Sequence, residues 1–502
     1  MTQATWLGHP RGLATLFFTE MWERFTFYGM RSLLVLFMTA AVMDGGLEMS
    51  SQDATAVYGL YLGCVYLFSL PGGWVADRLI GQRNAVIAGG LVIAAGNFLL
   101  ALGDQTVFFV GLVVVVLGVG LLKPNISTMV GQLYQNDLGA RRDAGFSIFY
   151  MGINIGALLA PLLVGTIGEK FSWKAGFAVA GFLMLLGVLQ FWLTRQHLSP
   201  EANHSTAKTP AERKRATLQL TAGVVAIAIA VGSVALGWIK VNPVDLGGGT
   251  GVAMVLIAAF FFGYVFLYGN LTAEETRRVI VIVVLFFGAA TFFMGFELAG
   301  SAFNLFARDY TDRSLFGSWF ADGQHPASWY QAMNPLFVVL FSPVFAALWV
   351  NLARRNLEPS VPVKFALGLL QMGIGFLVIA YAAWLVVQGG EQTKVLPVWL
   401  LLTYMLHTFG ELCLSPIGLS AVTKLAPTRF SSQMMGTWFA GTALGNLLSG
   451  LIAGHLGSED IAHAPGRFMM IFALATVLGF LLLMAARPIQ KMIGNSDAVR
   501  QS

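Results

Sequence analysis

The sequence predicts an all-α membrane protein, and three observations support this: few charges, long apolar runs and the positions of the basic residues. The chain has 502 residues, of which 56% are hydrophobic and 11% are charged. Soluble chains carry about 25% charged residues, so this chain has too few charges to cover a surface that faces water. Its 57 glycines are typical of helices that pack closely in lipid.

The apolar runs are long enough to cross a bilayer, which takes about 20 residues. Long unbroken runs exclude a transmembrane β-barrel, and the first run is too long for a cleaved signal peptide. Lys and Arg concentrate in alternate loops, so the positive-inside rule places both termini in the cytoplasm. Fourteen segments are predicted, near 13–41, 53–79, 84–102, 106–130, 144–168, 175–195, 217–239, 250–270, 279–306, 329–351, 363–388, 395–423, 433–456 and 467–486.

The segments fall into groups of six, two and six. Two helical bundles with a site at their interface are a common plan for transporters, so we expect a protein that moves a small solute across the bilayer. The predicted regions are an N-terminal six-helix bundle at 1–195, a linker with a transmembrane helical hairpin at 196–277, a C-terminal six-helix bundle at 278–490 and a cytoplasmic tail at 491–502.

Other function classes find little support. The net charge of +5 comes from short loops and forms no basic face, so no nucleic acid is expected as a partner. Cys64 and Cys413 lie in apolar runs, which implies no disulfide framework. The sequence lacks GxSG, GxSxG and HExxH motifs, so we predict no enzyme. His407 and Glu411 are spaced like a metal pair, but no second deep histidine accompanies them, and no metal is predicted.

Charged residues inside the apolar segments are the strongest functional signal, because a charge in hydrocarbon is costly. A structural pair between Glu20 and Arg24 is the simplest interpretation, but it does not explain the deep residues that have no local partner, such as Lys123. The deep cations lie in the N-terminal half, and the unmatched carboxylates lie in the C-terminal half. A zwitterionic substrate would fit this distribution of charge. Its carboxylate would face the cations, its amine would face Glu411, and one buried carboxylate has reason to take up a proton. The deep residues are Glu20, Glu23, Arg24, Arg31, Lys123, Glu297 and Glu411.

Several of these residues lie in recognisable motifs. The run EMWERFTFYG at 20–29 resembles the ExxERFxYYG signature of proton-coupled oligopeptide transporters, a branch of the major facilitator superfamily. Segment 72–83 resembles that superfamily's motif between spans 2 and 3. Further matches in the same order are FYMGINIG at 149–156, NPLF at 334–337, FGELCLSPIG at 409–418 and GTWF at 436–439.

The resemblance implies a major facilitator fold, with two six-helix bundles and the inserted hairpin of bacterial members. It implies uptake of di- and tripeptides by symport with protons, through alternating access in a bacterial inner membrane, with no cofactor and no obligate protein partner. Phe27 departs from the pattern, because the family usually has tyrosine there. The implied proton-coupling residues are Glu20, Glu23, Arg24 and Glu297. The implied substrate-binding residues are Arg24, Tyr28, Arg31, Tyr66, Lys123, Asn154, Asn334, Glu411, Ser415 and Trp438. The implied gating or structural residues are Arg31 paired with Glu297, together with Asp77, Arg78, Pro124 and Pro416.

One alternative stays open at this point. The same scaffold could carry a drug, nitrate or a modified amino acid. Lys123 and Glu411 occur together, which favours a substrate that has both a carboxylate and an amine.

Overall fold

The structure is a computed structural model that describes residues 5–134, 140–199, 209–390, 393–454 and 458–494. Positions 200–208 of the predicted linker and 495–502 of the predicted tail lie outside these ranges. Two short antiparallel strands, β1 (Thr5–Trp6) and β2 (His9–Pro10), precede the first helix. The rest is helical, as the apolar runs predict, and the all-α class is confirmed.

The chain divides into two compact units, 1–49 with 64–242 and 50–63 with 243–502. The helices of the first unit are α1 (Arg11–Thr39), α3 (Ser69–Val75), α4 (Gln82–Leu102), α5 (Gln105–Gln132), α6 (Ala140–Ala160), α7 (Thr166–Lys170), α8 (Trp173–Thr194) and α9 (Pro210–Ala235). Helix α2 (Ser51–Leu67) begins in the second unit and ends in the first. The second unit continues with α10 (Pro243–Tyr268), α11 (Ala273–Phe296), α12 (Ala302–Tyr310), α13 (Met333–Arg354), α14 (Val361–Gly389), α15 (Val398–Leu425), α16 (Ser431–Ala453), α17 (Ala464–Met484) and α18 (Ala486–Ile493).

Within the described residues, 12 helical segments are long and apolar enough to cross a membrane. Helices α9 and α10 of the predicted hairpin are among them. Helices α1 and α16 are not, although their 29 and 23 residues would reach about 43 Å and 35 Å at 1.5 Å per residue. The count of fourteen spans and the region boundaries at 195, 277 and 490 therefore stay predictions.

Glycines set the close helix contacts within each unit. In the first unit, a Cβ on Gly89 of α4 would lie 2.7 Å from the carbonyl oxygen of Gly118 on α5. In the second unit, a Cβ on Gly410 of α15 would lie 2.7 Å from the carbonyl oxygen of Gly368 on α14. Such spacing leaves no room for a side chain, and the abundance of glycine serves this packing.

Candidate functional site

The charged residues of α1 form a compact cluster in the interior of the first unit. Glu20, Glu23 and Arg24 are 3%, 0% and 4% exposed. Arg24 donates from Nη2 to Glu23 Oε1 at 2.7 Å and from Nε to Glu23 Oε2. The same Nε lies 3.3 Å from Glu20 Oε1. Arg24 is therefore held by two carboxylates of its own helix.

One atom of this cluster is left without a hydrogen bond. Glu20 Oε2 is buried and has no hydrogen-bond partner among the described residues. A carboxylate oxygen that accepts no hydrogen bond loses none when it takes up a proton. The geometry therefore suits protonation of Glu20.

Helix α6 supports the cluster from behind. A Cβ on Gly156 would lie 3.0 Å from the backbone nitrogen of Phe25 and 3.2 Å from Arg24 Cβ. Glycine is the residue that lets α6 approach α1 at the level of Arg24. Asn154, two residues earlier on α6, is buried, and its Nδ2 donates to the carbonyl oxygen of Tyr150 at 3.0 Å.

The remaining deep cations of the first unit lie over aromatic rings. Lys123 Nζ is 4.0 Å from the ring centroid of Tyr66, and the Arg31 guanidinium is 5.5 Å from that of Tyr28. The Arg24 guanidinium lies 4.9 Å from the ring of Phe27, the position where the motif usually has tyrosine. Cation–π contacts stabilise a partly desolvated cation without neutralising it.

The segment after α3 is arranged differently. Asp77 and Arg78 lie in a π-helical turn, Ala76–Ile80, and both are exposed. Gly81 ends the turn with φ of 77°, which favours glycine. Pro124 lies inside α5 next to Lys123, and a Cβ on Gly73 would lie 3.8 Å from it. Asp77 and Arg78 therefore lie at a helix end, and Pro124 lies within α5.

In the second unit, Glu411 of α15 is held by neutral groups. Asn334 of α13 donates from Nδ2 to Glu411 Oε2 at 2.9 Å and to Thr408 Oγ1 at 3.0 Å. Thr408 was not predicted as a site residue, although it lies three positions before Glu411 on the same helix face. Among the described residues, no cation forms a salt bridge with Glu411, and its hydrogen-bond donor is a neutral amide.

The other predicted residues of the second unit lie on α15, α16 and the end of α11. Trp438 of α16 is 5% exposed, and its ring centroid lies 6.2 Å from that of Phe365. Ser415 Oγ has no hydrogen-bond partner among the described residues. Pro416 follows it inside α15. Glu297 is buried in a 3-10 turn, Glu297–Gly300, that separates α11 from α12.

Comparison with known proteins identifies the family. Residues 83–465 match the model of the POT family. The peptide transporter YePEPT of Yersinia enterocolitica is 39% identical over 98% of this chain and 97% of its own. A di-/tripeptide transporter of Lactococcus lactis is 35% identical over 98% of each chain.

Solved structures agree with these relatives. The crystal structure of a peptide transporter POT in complex with sulfate matches with a TM-score of 0.88 and 40% identity, over 98% of this chain and 97% of that one. A POT family transporter in complex with 5-aminolevulinic acid matches with a TM-score of 0.85 and 30% identity, over 97% and 98%. As its sequence motifs predict, the chain belongs to the POT family, the proton-coupled oligopeptide transporters of the major facilitator superfamily.

Proposed function

We propose that this chain imports di- and tripeptides together with protons, by alternating access. The observation that carries the proposal is the contrast in charge between its two units. The first unit has cations over aromatic rings, and in the second the one hydrogen-bond donor to Glu411 among the described residues is the neutral amide of Asn334. A peptide has one carboxylate and one amine, which suit these two kinds of group. Relatives that are named peptide and di-/tripeptide transporters support the same substrate class.

The peptide carboxylate would be bound by Arg24, Lys123 and Arg31 of the first unit. Hydrogen bonds to charged groups contribute about 1.5–3 kcal/mol each, more than neutral ones. Glu411 would bind the peptide amine, with Asn334 and Asn154 binding backbone atoms. Tyr28, Tyr66, Ser415 and Trp438 would contact the side chains.

Proton coupling would operate through the cluster on α1. While Glu20 and Glu23 are both ionised, they hold Arg24, and the arginine is not free for a peptide. Protonation of one carboxylate weakens that hold and releases Arg24 toward the peptide carboxylate. Coupling of this kind is reciprocal, so bound peptide must also change the affinity for the proton. Glu297 is proposed as a second protonated group, and protons are the coupling ion in place of any cofactor.

The proposed setting is a bacterial plasma membrane with both termini in the cytoplasm. The excess of Lys and Arg in alternate loops supports this orientation. The proposed gating residues are Arg31 with Glu297, Asp77, Arg78, Pro124 and Pro416.

Uptake into liposomes tests the proposal. Purified protein in proteoliposomes should concentrate labelled dialanine when the outside is more acidic than the inside, and should stop when a protonophore removes the gradient. Unlabelled dialanine should compete, whereas nitrate and free alanine should not. Uptake that ignores the pH gradient would contradict symport. Stronger competition by 5-aminolevulinic acid than by any dipeptide would instead assign the site to modified amino acids, the ligand class of one structural relative.

A further inference from the structure

The span at Ala273–Tyr310 is not one continuous helix. Helix α11 ends at Phe296, the 3-10 turn Glu297–Gly300 follows, and Ser301 takes φ of −123° and ψ of −93° before α12 begins. No side chain caps the start of α12, and Ser301 Oγ has no hydrogen-bond partner among the described residues although Ser301 is 0% exposed. Broken helices inside a membrane leave backbone groups that need another partner.

Helix α16 packs against this break. The contacts that its glycines make with α11 show which residues of α16 lie beside the break. Gly441 contacts Phe286, where a Cβ would lie 3.1 Å from the carbonyl oxygen. Gly445, one turn later, contacts α11 further along: its Cβ would lie 2.6 Å from the Ala290 carbonyl and 3.0 Å from the Met294 nitrogen. Ser449 is the next residue at this spacing. The same advance of four residues on each helix places Ser449 at the level of Met294–Leu298, where α11 ends and the turn that holds Glu297 begins.

Two polar side chains of α16 at this level lack partners. Ser449 Oγ has no hydrogen-bond partner among the described residues, and neither does Asn446 at Nδ2 or Oδ1. Both residues are 0% exposed. They are three positions apart and so share a helix face. Buried polar atoms are almost always hydrogen-bonded, to the protein or to ordered water.

We propose that Ser301, Ser449 and Asn446 bind ordered water at the break between α11 and α12, and that this water hydrates the Glu297 carboxyl group. An asparagine amide and two hydroxyls supply both donors and acceptors, and a buried water needs two to four such partners. Asn446 and Ser449 are positioning residues in this assignment, since they act on Glu297 through the water. The inference rests on the proposed proton symport, because it gives Glu297 a path for its proton.

Other titratable groups of the described residues lie on the helices packed around α16. Helix α2 contacts α16 where Gly59 meets Gly450, and it carries Asp53, Tyr58 and Tyr61. Helix α16 has no ionisable residue. Helix α15 contributes Tyr404, whose hydroxyl donates to the Ala299 carbonyl at 3.2 Å, together with His407 and Glu411. His407 packs against Phe303 of α12, with 5.6 Å between ring centroids. The ionisable residues of α11 and α12 lie at their far ends.

The test compares the pH dependence of dialanine uptake in three variants. Asn446→Leu combined with Ser449→Ala removes two of the three proposed water ligands and fills the space beside Asn446. Asn446→Ser keeps a hydroxyl and leaves room for water. Thr442→Val is the matched control, because Thr442 is buried one turn earlier on α16 and its hydroxyl bonds to the Trp438 carbonyl at 3.2 Å.

We expect the double variant to slow gradient-driven uptake several-fold and to move its midpoint to higher pH by on the order of one pH unit, since a less hydrated carboxyl group keeps its proton longer. Counterflow at fixed pH should be kept, and Asn446→Ser and Thr442→Val should match the wild type. If the double variant does not fold, Asn446→Ser decides alone: loss of its uptake refutes the water site, and wild-type behaviour supports it.

Three other results would overturn the inference. A pH profile of the double variant that superimposes on the wild type shows that no functional water is bound there. Equal shifts in the double variant and in Thr442→Val show a packing effect only. Uptake by the wild type that requires Na⁺, and fails when choline replaces it, assigns the break to a cation. Absence of gradient-driven uptake in the wild type itself refutes the proposed symport instead.

Discussion

The two units of the molecule treat buried carboxylates in opposite ways. In the first unit, Glu20 and Glu23 lie beside Arg24, which is bonded to one and 3.3 Å from the other. In the second, the amide of Asn334 is the one donor to Glu411 among the described residues, at 2.9 Å. One unit pairs its carboxylates with an arginine of the same helix, and the other holds a carboxylate through a neutral group.

This difference suggests a division of labour. A carboxylate paired with arginine controls whether that arginine can bind an anion, so protonation there acts as a switch. A carboxylate held by neutral groups acts as a receptor for a cation. The predictions below test this comparison, from the largest effect to the smallest.

Loss of Arg24 should have the largest effect. Arg24→Gln leaves Glu20 and Glu23 buried without their cation, and breaking a buried ion pair costs about 3–5 kcal/mol. We expect abolished peptide uptake and a large drop in thermal stability in detergent. Adding Glu20→Gln and Glu23→Gln should restore stability but not uptake. Recovery of uptake in the triple variant would show that Arg24 is purely structural.

Removal of the charge of Glu411 should weaken substrate binding without unfolding the protein. Glu411→Gln keeps the size of the side chain and a partner for Asn334, but it loses a charge-assisted bond to the peptide amine. At about 1.5–3 kcal/mol, the affinity for dialanine should fall roughly 10–100-fold, measured by competition binding. Asn334→Ala should cost less, because it removes only a neutral donor. If Glu411→Gln bound both dialanine and its N-acetylated analogue with wild-type affinity, the assignment would be contradicted.

The close contact behind Arg24 should be sensitive to a single methyl group. Gly156→Ala places a Cβ 3.0 Å from the Phe25 nitrogen, so α6 must move away from α1. Overpacking typically costs about 1–3 kcal/mol, and we expect reduced uptake with a lower unfolding temperature. Gly131→Ala on α5 is the control, since its Cβ would have its nearest contact at 4.0 Å. If Gly131→Ala reduced uptake and the unfolding temperature as much, the close contact at Gly156 would have no specific role.

The smallest effect is expected outside the membrane spans. The backbone N–H of Ser314 donates to Asp312 Oδ1 at 2.9 Å, and this bond lowers the pKa of Asp312 below its usual value of 3.8. A lowered folded-state pKa gives stability that is present above the unfolded-state pKa and is lost as the pH falls through the folded-state value. Asp312→Asn should therefore slightly lower the unfolding temperature at pH 7, and the difference should shrink as the pH falls below 3.8 and vanish below the folded-state pKa. A constant difference across that range would assign the effect to something other than ionisation.

The sequence predicts the fold and the charged positions because both depend on local patterns. Apolar runs define the spans, and a charge inside a run stands out whatever its neighbours are. The pairing of Glu20 and Arg24 follows from their spacing of four on one helix, and the structure shows it. The bond from Asn334 to Glu411 could not be derived in this way, since it depends on how α13 and α15 are rotated against each other.

The sequence also did not predict where the helices are interrupted. The predicted segment 279–306 reads as one apolar run, yet α11 stops at Phe296 and α12 starts at Ala302. Segment 144–168 likewise contains the π-helical turn Pro161–Gly165 between α6 and α7. Ser301, Ser449 and Asn446 are ordinary residues in the sequence. The contacts of Gly441 and Gly445 with α11 place Ser449 at the level of Glu297, and Asn446 lies three positions before Ser449 on α16.

The central claim is that the carboxylates around Arg24 couple peptide movement to protons. It is tested most directly with Glu20→Gln and Glu23→Gln in proteoliposomes, by measuring uptake driven by a pH gradient alongside counterflow without a gradient. We predict that both variants lose gradient-driven accumulation of dialanine while at least one keeps counterflow, which shows an intact but uncoupled transporter. If both variants still accumulate dialanine against its gradient when only the pH gradient is imposed, the claim is wrong and the proton is carried elsewhere.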